Sequence, residues 1–106
     1  MITEADILKA KLNLETAQVA WTELQRFFAQ GSVIWLDDTL DLIEVAHATA
    51  ADDSQAIKAW MENRNLAQVS DDQAQHWLEQ DIWLWSVVIR PLILVQNIKA
   101  GDSGKG

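Results

Sequence analysis

The chain has no cysteine, no tyrosine and a single proline in 106 residues. Without a thiol there is no disulfide, no thiolate nucleophile, no iron–sulfur cluster and no cysteine-ligated zinc. Bases are scarce as well: eight lysines and arginines stand against sixteen acids, for a net charge of −8. Such a surplus repels phosphate backbones and anionic lipid, and the bases are scattered singly from Lys9 to Lys105 with no basic stripe. Neither nucleic acid nor a membrane surface is therefore an expected partner. Met1 to Asn13 mixes acids with bases, so no secretory signal is read there and the cytoplasm is the expected location. The longest apolar run is broken by Ser86, Arg90 and Pro91. Its pieces fall short of the ~20 residues a membrane helix needs.

What is abundant is tryptophan, six in all. Each indole buries roughly 150–250 Å², enough together to supply much of the core of a small domain. Three of them, Trp35, Trp83 and Trp85, alternate with aliphatics in strand-like runs, which predicts core packing rather than a ligand platform. The densest run is Ile82 to Val95, fourteen residues with one charge. It is β-branched, aromatic and apolar on both alternating faces, the pattern of a central buried strand. Pro91 cannot donate to a ladder and marks a bulge, a bend or an edge within it.

Along the chain, Thr3 and Asp6 predict a capped first helix, about Glu4 to Leu12, with Ile2 and Ile7 as a hydrophobic staple. A second helix is expected with Ala17, Ala20, Trp21, Leu24, Phe27 and Phe28 on one face, ended by Gly31. Val33–Leu36 is a short strand. Residues 40–51 are ambiguous between a hairpin arm and a helix; helix is preferred, with Asp38 as its cap and Asp41 in the first turn. A further helix carries Ile57, Trp60 and Met61. Leu66–Val69 is a weak strand, and Ser70-Asp71-Asp72-Gln73 is a capping box opening a helix that buries Ala74, Trp77 and Leu78. Ala100–Gly106 is a polar Gly/Ser stretch expected to be a flexible tail, leaving residues 1–99 as one domain.

Ligand-type side chains gather once, at Asp37, Asp38, Asp41, Glu44 and His47. Glu44 and His47 have the Glu-x-x-His spacing of di-metal carboxylate bundles, yet those need a second such pair, and this chain has none. A cap, a first-turn acid, a solvated acid and a histidine at the edge of an apolar arc are the favoured account of the cluster. His76, beside Trp77, has the surroundings of a partly exposed structural histidine. Gly101-Asp102-Ser103-Gly104 and Gly104-Lys105 match fragments of a serine-protease nucleophile site and a phosphate loop, without the scaffold either requires. A helix-turn-helix-like pair over residues 54–80 is disfavoured by the acidic first turn of its second helix.

Leu12-Asn13-Leu14-Glu15-Thr16-Ala17, Trp21-x-x-Leu24, Leu40 to Ala46, Asp52-Asp53, Trp60, Ser70 to Ala74 and Val87-Val88-x-x-Pro91-x-x-Leu94-Val95-Gln96 together resemble domain-of-unknown-function family 2288 of small bacterial proteins, over about residues 8–96. The resemblance implies a compact bacterial domain and brings no reaction, ligand or catalytic residue with it. The expectation is a single compact α+β domain, with a small sheet of about three strands (33–36, 66–69, 83–95) packed by four or five helices. Its expected role is non-catalytic: a protein–protein interaction or self-associating module with no cofactor. A homodimer would form through strand 83–95 or an exposed tryptophan. The alternative is a metal-binding protein or metal-dependent enzyme built on Asp37, Asp41, Glu44 and His47, which requires at least three of these to converge.

Overall fold

A computed structural model describes residues 1–99. Helix α1 (Glu4–Glu15) opens with the expected capping box, Thr3 and Asp6 bonding each other's backbone N–H, although Ile2 and Ile7 both remain exposed. Strand β1 (Ala17–Ala20), a 3-10 turn (Trp21–Leu24) and the short α2 (Gln25–Ala29) follow, then β2 (Val33–Leu36). Helices α3 (Leu42–Ala50) and α4 (Ser54–Glu62) lead to β3 (Leu66–Gln68), α5 (Asp71–Glu79), β4 (Trp83–Ile89) and β5 (Leu92–Asn97). The strands form one sheet in the order β1-β4-β5-β2-β3. Every neighbouring pair is antiparallel except β2 with β5.

Period-two alternation sends successive side chains of this sheet into two separate cores. Ile34, Leu36, Val87 and Leu94 meet Leu12 of α1, Leu42, Val45 and Ala46 of α3, and the half-covered Ile57 and Trp60 of α4. On the other face Val33, Leu84, Ile93 and Val95 meet Trp21, Leu24, Phe27 and Phe28, together with Ala74 and Trp77 of α5. There Trp21 is 1% exposed, its ring edge-on to Trp77 at 5.0 Å and Phe28 at 5.5 Å. Its indole N–H has no hydrogen-bond acceptor among the described residues.

The α+β class holds, but the sheet has five strands where about three were expected. Ala17–Ala20 is a strand, not the start of a helix. Its four residues pair with Trp83–Ser86, and those ladder bonds outweigh the weak local preference of an Ala-Gln-Val-Ala segment. The apolar run 82–95 is two strands rather than one. Ile89 pairs with Leu92 across a two-residue turn at Arg90-Pro91, whose peptide bond is cis, so the proline lies where no ladder donor is needed. Residues 42–50 are helical as preferred, but the cap is Asp41 rather than Asp38. Leu78 is exposed, not buried. The expected tail, 100–106, lies outside the described residues.

Candidate functional site

The acidic cluster is taken apart by local structure. Asp37, at the end of β2, accepts hydrogen bonds from the Thr39 hydroxyl, the Asn65 side-chain amide (2.8 Å) and the Thr39 backbone N–H (3.0 Å). The Thr39 hydroxyl and the Asn65 amide hold its carboxyl below the usual carboxylate range. Asp41 caps α3, accepting from the N–H groups of Ile43 (2.9 Å) and Glu44 (3.3 Å). Glu44 instead reaches α1, pairing with Lys9 at 2.8 Å, and this hydrogen bond raises the lysine's pKa. Asp38 is exposed, and His47 is half-buried one turn beyond Glu44. Among the described residues no three of His, Asp and Glu gather closely enough to hold one metal ion. The convergence that the metal reading requires of Asp37, Asp41, Glu44 and His47 is thus not found: each carboxylate is turned toward a different local partner.

Beside this region a cleft of about 270 Å³ lies between α1 and α3, with Asn13, Thr16, Asp41 and Ile43 around Trp85 and Gln96. Three of its polar side chains are spoken for, Thr16 among them by its bond to the Leu12 carbonyl. Asp41 fills the α3 N-terminus, and Gln96 Nε2 donates to the carbonyls of Asp37 (2.9 Å) and Leu40 (2.7 Å). The helix-turn-helix arrangement over 54–80 is also absent, because β3 intervenes between α4 and α5. Among the described residues no helix is long and apolar enough to cross a membrane.

The tryptophans divide. Trp35 and Trp85 are half-buried, with Trp35 Nε1 donating to Asn97 Oδ1 at 2.9 Å. Trp83 departs from the expected burial and is 52% exposed. It opens β4, opposite Ala20 of the short β1, where the sheet offers only a small side chain beside it.

At the other end of β4 the sheet is incomplete. The Trp21 N–H bonds to the Ile82 carbonyl, which fixes residues 82, 84 and 86 as the positions whose backbone groups face β1. The next in that series is Val88, yet β1 ends at Ala17, opposite Ser86. The N–H and C=O of Val88 therefore point away from β5 into an open position, unpaired among the described residues. The Val88 side chain is 53% exposed and borders a groove of about 600 Å³. Val19, Leu24, Phe27 and Ile93 make this groove apolar, while Glu23 and Arg90 stand on its rim. Ser86, also part of its lining, is 6% exposed and its hydroxyl makes no hydrogen bond among the described residues. Sequence reasoning passed over Ser86 and Val88 because both lie inside one apolar run. A two-residue turn at Arg90-Pro91 was the signal that would have split that run into two strands.

Comparison with known proteins agrees with this architecture. The NMR solution structure of PA1075 from Pseudomonas aeruginosa is 42% identical to this chain, covers 93% of it and 92% of its own length, and superposes with a TM-score of 0.77. No curated protein matches the chain. The family model described as protein of unknown function (DUF2288) matches residues 7–97, and the chain belongs to that family.

Proposed function

We propose that the chain is a non-catalytic association module that binds a second copy of itself or another protein. Trp83 carries this reading. Trp21 and Trp77 fill a core, whereas the Trp83 ring stands half in water at the head of an interior strand. An exposed indole offers a large, rigid apolar surface at small conformational cost, which is why tryptophan is enriched at the centres of protein interfaces. The route through a strand edge at 83–95 narrows to the end of β4 beyond Ser86, since β5 and the rest of β4 lie inside the sheet. Light scattering on the full chain at low micromolar concentration tests self-association. A dimer mass that falls toward monomer in Trp83→Ser, with the urea midpoint unchanged, is the expected result. A monomer at every concentration overturns self-association.

A further inference from the structure

The open position at Val88 does more than expose an apolar side chain. We infer that it receives a short extended segment of another protein, which pairs its backbone with Val88 and places an apolar side chain in the adjoining groove. This rests on the association reading and names a partner for it. A free N–H and C=O on one residue match the C=O and N–H of one residue of an antiparallel extended chain, as in strand addition to a sheet edge. A residue directly opposite Val88 shares its face of the sheet, so its side chain enters the groove lined by Leu24, Phe27 and Ile93. Ser86 is 6% exposed as a residue, and its hydroxyl, without a hydrogen bond among the described residues, is left to bond a polar group of that segment. A volume of about 600 Å³ holds one large side chain and its flanking backbone.

Geometry and charge choose the occupant. A second copy pairing antiparallel through Val88 would bring its own Arg90 opposite Ser86, where Ala17 already lies. The segment must instead be short, or leave the sheet before reaching β1, as a loop or an unstructured end of a different protein can. Arg90, two residues from Val88, has no ion-pair partner among the described residues. An acidic residue two positions from the apolar one meets it there.

The test uses a capped tetrapeptide, ETLT, whose glutamate falls opposite Arg90 and whose chain ends before Ser86, titrated into the full chain and followed by amide chemical shifts and hydrogen exchange. Saturable shifts confined to residues 86–90 and the groove, with exchange of the Val88 amide slowed about tenfold at saturation, are expected. Methylating the leucine nitrogen removes the backbone donor and should weaken binding about fivefold. Replacing that leucine by aspartate should abolish binding, and Arg90→Gln should weaken it about threefold. Absence of saturable shifts in 86–90, or equal binding of the N-methylated peptide, overturns the proposal. Since Trp83 is not among the groove residues, failure here leaves self-association to stand or fall on its own mass measurement.

Discussion

The two ends of β4 belong to one strand and share one neighbour, β5, yet they live in different environments. From Leu84 to Ser86 the strand is flanked on both sides, by β1 and β5, and Leu84 is fully buried. From Val87 to Ile89 it has β5 alone, and Val88 is half exposed. The difference does not come from composition, since both halves are apolar. It follows from β1 being four residues long against the seven of β4. An edge strand's length thus decides where an interior strand stops being interior, and short edge strands are a common way of limiting unwanted pairing.

The sharpest way to break this comparison is to truncate one side chain at each end. Leu84→Ala should cost about 2–5 kcal/mol, because it leaves a cavity in a packed core. Val88→Ala should lie within about 0.5 kcal/mol of the parent, as expected of a surface position. Urea unfolding measures both, and equal costs would mean that the two ends are packed alike. A smaller effect belongs to Gln96, which faces Trp85 and closes the well-flanked end by donating to two carbonyls. Gln96→Ala should cost about 1–3 kcal/mol by leaving those carbonyls short of a donor, with exchange at the Val88 amide unchanged. If Val88 exchange rises with it, the two ends open together.

The smallest effect is the acid response of Asp37, whose carbonyl is one of those acceptors. Its carboxyl is held below the usual range by the Thr39 hydroxyl and Asn65, so the folded chain holds this proton less tightly than the unfolded one. The stability it contributes is complete above the ordinary carboxylate range and is lost as pH falls through the depressed value. Asp37→Asn should flatten that part of the pH–stability curve, measured by thermal unfolding in acid. An unchanged curve would place the acid sensitivity elsewhere.

How much of this was legible depended on whether the deciding interaction was local. The capping boxes at Thr3 and Ser70 act within four residues, and both are formed as the sequence predicts. Gly31, with φ +77°, ends the α2 turn for a reason visible in one residue. β1 was not legible: only Val19 in Ala17–Ala20 favours a strand, and its partner lies more than sixty residues away. The hairpin was hidden for the opposite reason. β4 and β5 are both covered on two faces, so their sequences merge into one apolar run with no polar alternation to separate them. At the acidic cluster the spacing of Glu44 and His47 is real, but a helix face says nothing about what stands across from it. Across from Glu44 stands Lys9.

The place of β5 in the sheet sets an order on assembly. It comes last in chain order among the described elements, yet it lies in the middle, joining the β1–β4 pair to the β2–β3 pair. Until residues 92–97 are made, β2 and β3 are a ribbon with no strand to pair it with β1 and β4, and the layers above and below have no continuous floor. Such late, long-range closure favours slow folding over fast. It also means that a nascent chain interrupted before Leu92 would expose its apolar strands without the one that seals them.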